Sequence, residues 1–216
     1  MRASGAAAAV VLVLMLAGWW RSASGQETSH GGILRGSSHA REIALEFTGH
    51  EYAEGGQVIL DQLARRRARA SFFLTGDFLR RSEFAPLVRR IVSEGHYLGP
   101  HSDKHLLYCG WEASRPTLVS RETFRRDLED NLAELERFAV RRAGVRYWVP
   151  PYEWFNEETA AWSLEAGLQI VNFTPGTRAN ADYTGESDRN FVTSQAILDS
   201  ILERERTGPN GLNGFL

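Results

Sequence analysis

The sequence predicts an α/β chain with a mostly parallel sheet, either barrel-like or doubly wound. Strand-like and helix-like segments alternate about six times, the pattern of right-handed β–α–β crossovers. The run Ala70-Ser71-Phe72-Phe73-Leu74 is nearly continuous in apolar residues, as in a parallel strand covered on both faces. The unusual polar segments follow the expected strands: 48–51, 101–105, 150–154 and 174–183. In a (β/α) barrel the site lies at those strand ends, so the four segments are expected to share one site.

The elements follow in order. Arg2, the apolar stretch Gly5 to Trp20 and the small-residue run Arg21-Ser22-Ala23-Ser24-Gly25 form a secretory signal pattern over residues 1–25, cut before Gln26. The apolar core falls short of the ~20 residues of a membrane span, and an uncleaved anchor is the alternative. A secreted or periplasmic protein is expected, with no stable membrane insertion after cleavage. Residues 26–39 are polar and Gly/Ser-rich and read as a linker, and the domain as 40–216.

Ile43 to Thr48 is expected as the first strand. Gly56 to Arg67 reads as a helix with Val58, Ile59, Leu60 and Leu63 inward, ending in a basic run, Arg65-Arg66-Arg67-Ala68-Arg69. Cations there complement the helix dipole; a phosphate-binding patch is the other reading. Residues 70–74 form a strand, 84–94 a helix stopped by Gly95, and 96–99 a strand. Arg121 to Val140 carries Phe124, Leu128, Leu132, Leu135 and Phe138 close to the helical period. Tyr147 to Val149 is a strand stopped by Pro150-Pro151. Asn156 caps a helix over 157–166, a strand covers 168–173, a helix 194–206, and a further strand starts at Asn213.

Composition sets the bounds. With 43% hydrophobic residues, 216 positions suffice for one domain with a full core. A net charge of −2 argues against nucleic acid as partner. The single Cys109 cannot form an internal disulfide.

The chemistry-bearing pattern is His101-Ser102-Asp103-Lys104-His105. Four-residue spacing would put both imidazoles on one face of a helical turn, within reach of one metal ion. Alone, the pair is more often a surface or capping feature. Its place after the third major strand, beside the other polar strand ends, tips it towards metal binding.

These motifs resemble the polysaccharide deacetylase family, the NodB-homology group of carbohydrate esterases (family 4-like). The family's metal motif is H-[S/T]-x-x-H, here His101-Ser102-x-x-His105; its A-T-F-F phrase is similar to Ala70-Ser71-Phe72-Phe73; its Pro-Pro-Tyr segment resembles Pro150-Pro151-Tyr152. A later Asp-Trp is echoed by Asp182-Tyr183. The resemblance implies a distorted, incomplete (β/α) barrel that removes N- or O-acetyl groups from sugars with a zinc-like divalent metal. It implies an acetylated glycan as substrate, and an oxyanion donor in a backbone N–H near Tyr152.

The departures are specific. Thr48 and Gly49 stand where the family has its Asp pair, the base and a metal ligand. The next residues, His50 and Glu51, are the expected replacements: His50 as third metal ligand, Glu51 as base. Val149 stands where the family has an Arg, with Arg146 and Arg178 out of register. Tyr152, Glu153 and Trp154 are expected to wall the sugar site, joined by Arg178 and Asp182. The chain stops before the family's terminal Leu-x-His acid, so the last strand and helix are expected to be missing. A sugar-binding relative without activity is the competing reading.

Overall fold

The structure, a computed structural model, describes residues 25–216. The expected signal segment lies outside those residues, its last residue Gly25 excepted. Among the described residues no helix is long and apolar enough to cross a membrane.

The expected alternation is there, with shorter strands. β1 (Glu27–Ser29) and β2 (Gly32–Arg35) form an antiparallel hairpin. β3 (Glu46–Gly49), α1 (Gly56–Arg66), β4 (Ser71–Leu74), α2 (Gly76–Arg80), α3 (Ala85–Ser93) and β5 (Tyr97–Pro100) follow. Then come α4 (Arg121–Glu136), β6 (Tyr147–Trp148), α5 (Glu157–Glu165), β7 (Gln169–Ile170) and α6 (Ser194–Thr207). β3, β4 and β5 are parallel neighbours in that order, and β6 pairs parallel with β7.

The linker expected over 26–39 is mostly the β1–β2 hairpin. Its second strand reaches the barrel: Ile33 bridges Val171 in parallel, and Arg35 bridges Phe215. Phe215 in turn receives the Ala44 N–H on its carbonyl. The arc β3–β4–β5, β6–β7, β2 and residues 214–215 thus returns to the chain just before β3. Polarity misled here because the hairpin has one inward face: Leu34 packs on the core, while Glu27 and Thr28 stay exposed. The first strand starts at Glu46 rather than Ile43, and the last expected strand is a bridge at Phe215.

The core lies between β3–β7 and helices α1, α3, α4 and α5. Leu60, Val88, Leu128, Leu135, Trp148 and Leu168 are fully buried in it. α4 buries the Phe124, Leu128, Leu132, Leu135 stripe that its periodicity announced, and Asp127 and Asn131 on the same side. Those two polar residues are not core filler. They face the loop after β5.

That loop is built around a close approach. A Cβ on Gly76, the first residue of α2, would lie 1.7 Å from Asp103 Oδ1. The missing side chain lets the Gly76 and Asp77 N–H groups donate to the carbonyls of Ser102 and Asp103 (both 3.1 Å). Arg80 then holds Asp103 through two hydrogen bonds, 2.7 and 2.9 Å. Gly76→Ala should therefore displace the 101–105 loop, costing about 1–3 kcal/mol in a urea melt. Amide shifts confined to residues 74–80 and 101–105 would accompany the loss; a Gly76→Ala chain as stable as the parent refutes the packing argument.

Candidate active site

The 101–105 segment holds the two imidazoles together, though not as a helical turn. Ser102 and His105 both take left-handed backbone, φ 70 and 54. Such conformations are uncommon outside glycine and are kept where surrounding contacts determine them. Here α4 supplies those contacts. Asn131 Oδ1 accepts from the His101 N–H (2.8 Å), and its Nδ2 donates to the Leu74 carbonyl (3.1 Å). Asp127 accepts from the N–H groups of Asp103 and Lys104 and from the Tyr108 hydroxyl. Ser102 Oγ accepts from the His105 N–H (2.8 Å). The expected pairing is met by loop geometry, since the spacing works here through two left-handed residues.

His101 is buried, and its Nδ1 donates to the Val149 carbonyl at 2.7 Å. A carbonyl can only accept, so the proton is on Nδ1 and the Nε2 lone pair is free. The His101 and His105 ring centroids lie 5.0 Å apart. The His50 ring stacks on His105 at 4.6 Å, with its Nδ1 3.2 Å from Thr75 Oγ1. Burial and then neighbouring imidazoles push His101 down to about 3; the same causes push His105 to about 4. Both rings are therefore neutral at pH 7, the form that binds metal. The donors are the right kind for a divalent transition ion. Among the described residues, however, no three His, Cys, Asp or Glu side chains are gathered as a closed ligand set.

Around these rings is a cleft of about 700 Å³. His50, His101 and His105 line it, with Trp111, Arg115, Tyr152, Glu153 and Trp154. Tyr152 packs on His105 at 4.5 Å, and Trp111 lies against both Tyr152 and Trp154. The Arg115 guanidinium sits 3.5 Å over the Trp154 ring. Trp111 and Tyr152 are 59% and 45% exposed, which leaves them free to stack on a ligand.

The other expected residues fall unevenly. Glu51 is beside the rings but outside the lining: its carboxylate is 3.9 Å from His50 Nε2, and its side chain is 55% exposed. Arg178 lies elsewhere, on a shallow groove with Ser200 and Arg204, because the turn after Pro175 carries it towards α6. Asp182 is not in the lining, though its charge reaches Glu153. Several lining residues escaped sequence reasoning, Trp111, Arg115 and His30 among them. Trp111 and Arg115 belong to a loop without periodicity. His30 reaches the cleft from the β1–β2 turn, its Nδ1 2.6 Å from Glu157 Oε1. The only signal for it was the His30-Gly31 pair, a turn motif inside a presumed linker.

The family model for polysaccharide deacetylase matches residues 36–171 of this chain. The chain belongs to the polysaccharide deacetylase family. A peptidoglycan-N-acetylglucosamine deacetylase of Bacillus cereus is 26% identical over 83% of this chain and 61% of its own length. A chitooligosaccharide deacetylase of Sinorhizobium fredii is 29% identical over 82% of this chain and 73% of its own. A solved family 4 carbohydrate esterase from Bacillus anthracis superposes with a TM-score of 0.59 and 28% identity, covering 67% of this chain and 65% of that one. This chain thus spans about three-fifths of the B. cereus relative's length. The polysaccharide deacetylase fold accounts for the parallel arc of strands.

Two kinds of group with shifted pKa values act on this domain's stability in opposite directions. His101 and His105 have lowered pKa values, so their contribution is present above pH 6.5 and lost as pH falls towards 4 and 3. Burial raises Glu46 and Glu153 to about 7, so theirs is present below 4.5 and lost as pH rises to 7. Between pH 6.5 and 4.5 the two oppose each other; below 4.5 the carboxyl gain is complete and the histidine loss continues. Chelator-treated protein should hold nearly constant urea stability over the first range. It should then lose up to about 1.4 kcal/mol per pH unit for each imidazole. A full two-proton decline already present at pH 6 would contradict the raised carboxyls.

Proposed function

We propose that this chain is a secreted or periplasmic, metal-dependent deacetylase that hydrolyses acetyl groups on an N- or O-acetylated glycan. The observation that carries the reading is the pair of neutral imidazoles, one with its free nitrogen fixed by Val149, opening on a cleft with an aromatic wall.

His101 and His105 would hold a zinc-like ion; His50, stacked face to face on His105, would have to turn to join them as a third ligand. Such an ion, when bound, polarises the acetyl carbonyl and lowers the pKa of bound water. The protein does the rest. Trp111 and Tyr152 offer faces to the apolar side of a pyranose, and the Arg115 guanidinium laid over the Trp154 ring holds that part of the wall. The turn at 150–153 brings backbone near the rings, where an N–H can stabilise the oxyanion. The histidine loop is anchored on α4, so the ligands are pre-positioned rather than recruited.

The second reading rests on Thr48 and Gly49, which lack the carboxylates the family carries there. It makes the chain a sugar-binding relative without activity. Acetate release decides between them. Purified chain, supplied with zinc, is incubated with chitooligosaccharides, acetylated peptidoglycan and acetylated xylan. Acetate from one of them, abolished by chelator, supports the enzyme; glycan binding with no acetate from any sinks it in favour of the second reading.

A further inference from the structure

The deacetylase needs a group that moves a proton, and Thr48 stands where the family keeps the carboxylate for that work. Glu51 stands outside the cleft lining. Among the described residues, Glu153 is the one carboxylate that lines the cleft. Its position is specified with care. Pro150-Pro151 start a tight turn in which Tyr152 and Glu153 take left-handed backbone in succession, φ 61 and 51. Neither is glycine, so each conformation costs energy that the surroundings must supply. The Glu153 N–H donates to the Pro150 carbonyl (3.0 Å), and its own carbonyl accepts from buried Asn172 Nδ2 (2.7 Å). Glu153 so held lines the same cleft as the histidines and the aromatic wall.

We propose that Glu153 is the catalytic acid–base of this chain, replacing the carboxylate absent at position 48. The proposal rests on the deacetylase reading above.

Its ionisation suits the role. Burial, and then the charge of Asp182, raise the Glu153 carboxyl to about 7. A group poised near the working pH can take a proton and return it within one turnover. The other titratable or charged groups in this lining are His30, His50, His101, His105, Arg115, Tyr152 and Tyr183.

For an N-acetyl substrate the step balances as follows. Water oxygen bonds to the acetyl carbon, and one water proton passes to the Glu153 carboxylate. The carbonyl π pair moves to oxygen, making a tetrahedral oxyanion. When that pair returns, the C–N bond breaks, its electrons leave with nitrogen, and Glu153 gives nitrogen the proton. The products are a free amine and acetic acid, whose remaining proton ionises and is taken up by the amine. No oxidant or other reactant is needed.

The test compares wild type with Glu153→Gln, which keeps shape and removes ionisation. Acetate release, zinc content, glycan binding and melting temperature are measured on each. Expected is a fall of at least about 10²-fold in kcat, with KM and zinc content near wild type. The acid limb of the wild-type kcat/KM profile, with its midpoint near 7, should vanish in the residual activity. A purely structural role would instead lower the melting temperature and leave the limb in place. Glu153→Gln turning over within about threefold of wild type overturns the assignment while the deacetylase reading survives. So does Glu51→Gln carrying the whole loss instead. A wild type that releases no acetate from any glycan overturns both.

Discussion

His101→Ala should yield a folded protein that no longer retains divalent metal and releases acetate at least about 10²-fold more slowly, equivalent to roughly 3 kcal/mol of transition-state stabilisation. The size follows from where His101 sits. It is buried, it is the ring whose free nitrogen is fixed by a carbonyl partner, and its backbone N–H is held by Asn131. No neighbouring donor can take its place. The fold pays a smaller toll: the Val149 carbonyl loses its partner, which costs about 1–3 kcal/mol. Metal per chain by mass spectrometry and acetate release give the two readouts. Stoichiometric zinc in His101→Ala would remove this residue from the ligand set. His50→Ala provides the contrast, because His50 is stacked on His105 rather than fixed by a carbonyl, and its loss should weaken metal retention less.

Trp148→Ala should be the most damaging core substitution tried, at about 3–5 kcal/mol. The indole is fully buried and meets the edges of Tyr108 and Phe124, at 6.2 and 5.8 Å between ring centroids. Those two rings belong to the loop after the histidines and to α4. Trp148 also immediately precedes Val149, whose carbonyl orients His101. A cavity here therefore loosens the packing and the seat of the His101 ring together. Guanidinium unfolding gives the stability loss, and a lowered zinc affinity at temperatures where the variant is still folded gives the link. Trp148→Phe should cost much less, because the indole Nε1 has no hydrogen-bond partner among the described residues. If Trp148→Ala loses stability and keeps wild-type zinc affinity, the strand does not transmit the disturbance.

The sequence announced what depends on periodicity and on local caps. The stripe on α4, the apolar run of β4 and the Asn156 cap of α5 each reflect a local rule, and each is present. The β1–β2 hairpin broke such a rule, since short strands that bury only one or two side chains look like linker. His101 and His105 do lie side by side, for a reason that the spacing had only half right. Their spacing was read as a helical face, whereas left-handed residues and four hydrogen-bond acceptors on α4 and Ser102 bring the rings together. Those acceptors lie 22 or more positions away in sequence, except Ser102, and no window of the sequence links them. Glu153 was visible as a wall residue. Its proton affinity depends on burial and on Asp182, which only the folded chain reveals.

Gly49 carries a consequence for any attempt to place a carboxylate at the end of β3. A Cβ there would stand 2.8 Å from Leu74 Cδ2 and 3.2 Å from the Phe78 ring. The first atom of a carboxylate side chain there would press on the tips of two core side chains, the Leu74 tip most closely. Gly49→Asp therefore needs Leu74 to turn to another rotamer, a local repacking rather than a second substitution. Restoring a carboxylate at this strand end and re-seating the side chain at the end of β4 are thus one step, not two.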